Sequence, residues 1–214
     1  MPTSLKIDVV SDISCPWCAV GLSGLERALE ALGDKVEATI TFHPFELSPN
    51  MPPEGQNIVE YVAQRYGSTL EQSIANRDVL RARAASVGFD MPIGEDSRMY
   101  NTFDAHRLLH WAKVVGGQLS LKHALFEANF TRNLNVGDRE ILLSCVAKAG
   151  LDAAEAAAVL GSDRYAAEVR GDETLWKTAG ISSVPAMIIN DQYLISGGQT
   201  PEYFETALRK IANI

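Results

Sequence analysis

The 214-residue sequence predicts an α/β fold in which a β-α-β unit and a closing β-β-α unit bracket a long, all-helical stretch. Three observations carry this expectation. An apolar, β-branched run at 5–10 leads into an amphipathic pattern, and from about residue 57 to 178 nearly every segment repeats its apolar residues at helical spacing. After Gly180 the pattern returns to short apolar runs split by a turn.

The first run, Leu5-Lys6-Ile7-Asp8-Val9-Val10, has the composition of a strand in a largely buried sheet. Val20, Leu22, Leu25, Leu29 and Leu32 then recur at near-helical spacing with Glu26, Arg27 and Glu30 between them, and Gly33 is a natural stop. Between strand and helix stands Ser11-Asp12-Ile13-Ser14-Cys15-Pro16-Trp17-Cys18. A dithiol is thus expected at a helix N-terminus, where unpaired N–H groups and the helix dipole favour a thiolate. Pro16 falls at about the first helical position, which requires no backbone donor.

Two cysteines three apart on a helix share a side, with Cα atoms roughly 5 to 6 Å apart, within disulfide range. Cys15, nearer the helix end, is the expected attacking thiolate, and Cys18 the resolving thiol. The same spacing fits half a zinc site, but a closed site takes about four ligands, Cys145 is alone, and His106 and His110 are spaced as helix neighbours far along the chain. The expected site therefore contains no metal. Around the pair, Pro16, Trp17, Asp12 and Ser14 are candidates to tune it. Trp17 is expected to form a functional surface, and Asp12 reads as a turn former or as a proton acceptor for Cys18.

A second strand is expected at Val36–Phe42, followed by His43-Pro44-Phe45-Glu46-Leu47, and it would run parallel to the first. Ser48 to Gly55, with Pro49, Pro52 and Pro53, reads as a loop, either a plain connector or part of a substrate groove through Met51, Pro52 and Pro53. Helices are then expected from Ile58, over Leu70–Val87, Tyr100–Val115, Leu119–Phe130, Asp138–Ala149, Asp152–Leu160 and Arg164–Thr178. Asp152 with Glu155 has capping-box spacing. His106 and His110, one turn apart, fit a helix face near the groove better than a metal site. His43 would raise the thiolate fraction if it faced Cys15, and Cys145 reads as a small buried apolar residue.

Ala186–Ile189, the turn Asn190-Asp191 and Gln192–Ile195 form an expected hairpin. Thr200 caps and Pro201 opens a last helix through Phe204, Leu208 and Ile211.

A net charge of −8 and a pI near 5.0, without any basic run, argue against nucleic acid. No apolar run approaches the ~20 residues of a membrane span. Met1-Pro2-Thr3-Ser4 lacks the regions of a signal peptide, so a cytoplasmic setting is expected, where disulfides are usually transient and catalytic.

Five ordered blocks resemble the DsbA-like branch of the thioredoxin superfamily, and its FrnE-like subfamily in particular. They are the dithiol segment at 11–18, Phe45–Gly55, Asn101–Arg107, Val184-Pro185 and Ser196–Glu202. The resemblance implies a thioredoxin-type core, residues 1–47 and 179–214, interrupted by a helical insertion subdomain, residues 48–178. It implies that Pro185 follows a cis bond and packs opposite Cys15, and that Ser183, Val184 and Pro185 bind an extended substrate segment by strand addition. Residues alone also admit Pro185 as the mere start of a strand. His43 stands where this subfamily more often has an arginine, and Ala186-Met187 follow the proline where an aromatic is more usual. Both differences bear on substrate preference.

The expected activity is exchange of protein disulfides through the redox-active disulfide Cys15–Cys18, without any bound cofactor. Partners would be cysteine-containing proteins or peptides, with thioredoxin or glutathione as recycling system or co-substrate, and a homodimer is an admissible assembly. The alternative is a glutathione-dependent reaction, because kappa-class glutathione transferases and 2-hydroxychromene-2-carboxylate isomerases resemble the same interrupted core. Those activate one glutathione thiol and need no resolving cysteine, so Cys18 argues for disulfide exchange. A non-enzymatic holdase is a second alternative, in which the dithiol would be incidental.

Overall fold

In the computed structural model, which describes residues 1–214, the first strand is the central one. Strand β1 (Thr3–Ser11) pairs in parallel with β2 (Val36–Pro44) and antiparallel with β5 (Ala186–Ile189), and β6 (Tyr193–Ser196) completes the order β2-β1-β5-β6. A strand flanked on both sides and covered on both faces must be apolar, and Leu5, Ile7, Val9 and Val10 are all buried.

Register brings the site together. Ser11 stands opposite Pro44, so β1 and β2 end at one level. Val10 stands opposite Ala186, so the chain enters antiparallel β5 at that same end of the sheet. The segment after β1, the segment after β2 and Val184-Pro185 are thereby delivered to one edge. The hairpin between β5 and β6 turns on Asn190 and Asp191, whose φ angles of 51° and 56° are left-handed conformations that these residue types tolerate.

Helix α1 (Pro16–Leu32) packs against the closing helix α9 (Pro201–Ala212), which buries Phe204, Leu208 and Ala212. The Thr200 side chain accepts from Tyr203 N at 3.2 Å, as the sequence leads one to expect of a cap. Gly33 at φ 52° ends α1.

No strand of the main sheet comes from residues 48–178, which form α2 (Ile58–Tyr66), α3 (Leu70–Ser86), α4 (Phe103–Val115), α5 (Gln118–Phe126), α6 (Arg139–Lys148), α7 (Ala153–Leu160) and α8 (Ala166–Thr178). Asp152 caps α7 through Ala154 N and Glu155 N. The expectation of an all-helical stretch needs two corrections. Gln56–Asn57 (β3) and Arg98–Met99 (β4) form a small antiparallel ribbon, too short for a period-2 signal to show. The helix expected over Leu119–Phe130 stops being α at Phe126 and continues as a π-helical turn, Glu127–Thr131. Buried residues of the sheet, α1, α4, α5, α6 and α9 form one continuous core, in which Cys15 and Cys18 are included.

Candidate active site

Cys15 is the N-cap of α1 and Pro16 its first residue, so the dithiol occupies the first turn of the helix. Both thiols are free in this structure, Cys15 being 5% and Cys18 2% exposed. Cys18 N donates to Cys15 O at 3.0 Å, the bond that closes the turn. The first turn of α1 contains no acidic residue to compete with a thiolate for the positive end of the helix. Burial, followed by the hydrogen bond with Cys15 and its charge, pushes the Cys18 thiol well above the ordinary value, against the pull of Lys122 and the Asp12 backbone amide.

The Val184–Pro185 peptide bond is cis, and Cys15 Sγ donates to Val184 O at 3.7 Å. Pro185 itself is buried and its ring faces α1. A Cβ at Gly21 would fall 3.2 Å from Pro185 Cγ and 3.3 Å from Gly198 Cα, and one at Gly198 2.9 Å from Trp17 O. These two glycines let α1 approach the Val184–Pro185 segment and the turn after β6 closely enough to seat the carbonyl on the thiol.

Beneath the dithiol turn lies Asp12, fully buried. Its carboxylate accepts from Ser14 Oγ (2.8 Å), Ser14 N (3.3 Å), Leu47 N (2.7 Å), Thr102 Oγ1 (2.8 Å) and His106 Nε2 (3.4 Å). Burial pushes this carboxyl upward, but the His106 hydrogen bond and charge, with Leu47 N–H and Ser14, outweigh it and hold the pKa below the ordinary value. A carboxylate so engaged is a weak base, and it bridges three segments: the dithiol turn, the chain after β2, and the start of α4. Asn129, in the π-helical turn, adds a second anchor by donating to Ile13 O at 3.0 Å.

Cys15 opens onto a groove of about 1030 Å³ that runs between the edge of the sheet and α2–α3. Ser14, Pro16, Trp17, Ser183 and Val184 line it on the dithiol side, and Trp17, 36% exposed, presents its ring there. The opposite wall is Tyr61, Val62, Tyr66, Val79 and Leu80, with Arg65 and Arg77 as cations, and Lys177 lines the groove beside Phe45. Glu46 forms part of the floor, its carboxylate held by Arg170 beside Glu173.

Several expectations meet a different arrangement. From the 48–55 loop, Pro49 and Asn50 line the groove, whereas Met51 packs inward on Tyr61 and Met99. His43 turns its ring nitrogens to Asp8 (2.8 Å) and Asp172 (3.8 Å) and packs on Trp176, so its ring is engaged there and not at the thiols. His106 serves Asp12, while His110 Nδ1 is 4.0 Å from Asp172. No three His, Cys, Asp or Glu side chains are placed together to hold a metal ion. Cys145 is buried as expected, with its thiol on Ala124 O at 3.7 Å. Sequence reasoning missed Thr102, Gln118, Lys122 and Asn129. A signal existed: Gln118, Lys122 and Asn129 fall on the same helical face as Leu125, a polar stripe on a face that had to be buried.

With this geometry in view, comparison with known proteins is specific. The DSBA-like thioredoxin domain model matches residues 6–209. The chain belongs to the DsbA-like thioredoxin family. A probable DsbA oxidoreductase from Streptomyces coelicolor superposes with a TM-score of 0.89 at 36% identity, covering 96% of this chain and 89% of that one. YwbO of Bacillus subtilis, an uncharacterised protein, is 27% identical over 206 residues, 96% of each chain. The cytosolic disulfide reductase DsbM of Pseudomonas aeruginosa, solved with glutathione, shares the fold at a TM-score of 0.63 and 16% identity, covering 98% of this chain and all of that one. As a DsbA-like family member, the chain is a redox enzyme of the thiol oxidoreductase type. No helix of it is long and apolar enough to cross a membrane.

Proposed function

We propose that this DsbA-like chain exchanges disulfides of cysteine-containing proteins or peptides through Cys15 and Cys18. The observation that carries the reading is the position of Cys15: N-cap of α1, Sγ against Val184 O, at the edge of a large apolar groove, with Cys18 buried one turn below. In the reducing direction, the Cys15 thiolate attacks a substrate S–S bond, forms a mixed disulfide and releases one substrate thiolate. Cys18, as thiolate, then attacks Cys15 Sγ, closing Cys15–Cys18 and releasing the second substrate sulfur. The oxidising direction is the reverse. The Ser183-Val184-Pro185 segment would align the substrate backbone, and Trp17 would shape the rim.

On this reading residues 1–47 and 179–214 are the thioredoxin-type core that supplies the chemistry, and 48–178 is the insertion that supplies most of the groove wall. A cytoplasmic site of action, with glutathione or thioredoxin as recycler, fits a dithiol that cycles. Glutathione bound to DsbM, a protein of the same fold, supports including it among the reactants tested.

The test is reduction of insulin and refolding of a scrambled disulfide substrate. Cys15→Ser abolishes both, and Cys18→Ser accumulates an adduct at Cys15. Full activity in both variants overturns the dithiol reading, and strong glutathione conjugation that survives Cys18→Ser would favour the transferase-type alternative.

A further inference from the structure

The groove onto which Cys15 opens has the opposite charge balance to the chain that forms it. Over the whole sequence Asp and Glu outnumber Lys and Arg, 27 to 19. Of the charged residues that line the groove, Arg65, Arg77 and Lys177 are cations and Glu46 alone is an acid, whose carboxylate Arg170 already holds. A cleft lined by one sign of charge between apolar walls concentrates ligands of the other sign.

Arg77 turns this general attraction into a socket. It stands on the groove wall in α3, one turn before Leu80, and Leu80 belongs to the same continuous core as Cys15. An arginine is almost never buried so deeply unless it is paired. Arg77 is only 7% exposed, yet its side chain makes a single hydrogen bond, from Nη1 to Ser73 Oγ at 3.0 Å. The Glu95 carboxylate is 3.9 Å from Nη2, outside hydrogen-bond reach, and is itself 69% exposed. A guanidinium carries five N–H donors in a planar fork, so Nε and Nη2 are left without a protein acceptor. The acceptor that completes the fork must come from the groove, and the group that matches it with two parallel hydrogen bonds is a carboxylate.

We propose that Arg77 is a specificity-determining residue that binds a side-chain carboxylate of the substrate, so that the groove selects disulfides in acidic peptide segments. The inference rests on the disulfide-exchange reading above and names the substrate class of that same site. At about 1030 Å³ the groove exceeds the roughly 300 to 1,000 Å³ that holds a drug-sized ligand, which leaves room for a segment of several residues. Such a segment lays its cysteine at Cys15, beside Ser183 and Val184, and meets the α2–α3 wall with an aspartate or glutamate a short way along its chain. Arg65 and Lys177, both exposed, add attraction of the same sign. A basic segment would leave the Arg77 fork unpaired and bring like charges together, which costs affinity.

The experiment measures kcat/KM of the full chain with disulfide-bearing peptides in which Glu is placed at successive positions on either side of the cysteine, each against its Gln counterpart. Oxidised glutathione serves as a second source of carboxylates. In the parent, Glu is preferred over Gln by about tenfold at one or two adjacent positions, a difference of about 1.4 kcal/mol that is expressed in KM. Arg77→Gln brings that ratio to about one, and its loss with oxidised glutathione is severalfold smaller than its loss with the Glu peptide. A purely structural role would slow Glu and Gln peptides alike and leave the ratio standing. Should Arg77→Gln not fold, Arg77→Lys, which keeps the charge without the fork, takes its place and must reduce the ratio at least about threefold. A parent that turns over both peptide series without preferring Glu, a ratio unchanged in the variant, or a loss as large with oxidised glutathione as with the Glu peptide overturns the peptide-carboxylate site and leaves the exchange reading standing. A parent that turns over no peptide and forms no adduct at Cys15 overturns the exchange reading, and this inference with it.

Discussion

Asp12 shows how much of this site depends on one side chain that never meets solvent. Five donors from three segments converge on it, so truncation leaves Ser14, Leu47, Thr102 and His106 unpaired in the interior. Asp12→Ala is expected to destabilise by about 3 to 5 kcal/mol in urea denaturation, the range for breaking a buried charged network; a loss under about 1 kcal/mol would contradict that. Because the folded carboxyl is held below its ordinary value, its contribution is present above the ordinary carboxylate pKa of about 3.9 and is lost as pH falls through the depressed value. Asp12→Asn should therefore flatten the acid limb of the stability profile. An unchanged limb would show that other carboxylates govern it. Among residues, the sequence made the dithiol, Trp17 and the buried Cys145 legible through type and spacing. It concealed the network, since Thr102, His106 and Asn129 stand 90 to 116 residues from the partners they hold, at separations no periodicity encodes.

At the level of elements, β2 is an edge strand of the sheet, yet Phe42, facing away from β1's hydrogen-bonding row, is paired by the amide of Gln118. A side chain thus does at one point what a fifth strand would do, and it fixes α5 to the core. Gln118→Leu should cost about 1 to 3 kcal/mol by leaving Phe42 N–H and C=O unpaired. Faster hydrogen exchange at Phe42 than in the parent is the check, and unchanged protection would mean that packing alone holds α5. The close seating of α1 makes a second demand. Gly198→Ala places a Cβ 2.9 Å from Trp17 O and 3.2 Å from Trp17 Cε3, so the turn after β6 must shift, and slower reaction at Cys15 should accompany an overpacking loss of about 1 to 3 kcal/mol. An unaltered rate of Cys15 alkylation would argue that this seating does not set thiol reactivity. The order of elements was legible because each long helix and each sheet strand carries its own period. The β3–β4 ribbon and the π-helical turn were not, since the first is two residues per strand and the second keeps the apolar pattern of an ordinary helix end.

For the molecule as a whole, the parallel pairing of β1 with β2 and the antiparallel entry of β5 bring three segments to one sheet edge, and the helices at 48–178 raise a wall opposite them. That wall is aromatic and aliphatic with the cations Arg65 and Arg77. Tyr66→Ala combined with Val79→Ala should raise KM for an unfolded disulfide-bearing peptide severalfold more than for oxidised glutathione, and equal effects on the two would remove the groove from substrate selection. The shape of the groove was beyond the sequence, because it arises between elements whose separation and angle depend on the whole core. The central claim is that Cys15 and Cys18 work as one reversible couple. Its most direct test is equilibration of the chain against a glutathione redox series, with the oxidation state read by mass spectrometry after alkylation. A single two-electron transition is predicted, within the roughly −270 to −120 mV spanned by related dithiols, that involves Cys15 and Cys18, spares Cys145 and vanishes in Cys15→Ser. A pair that stays reduced or oxidised across the whole series, or a transition that persists in Cys15→Ser, would contradict it.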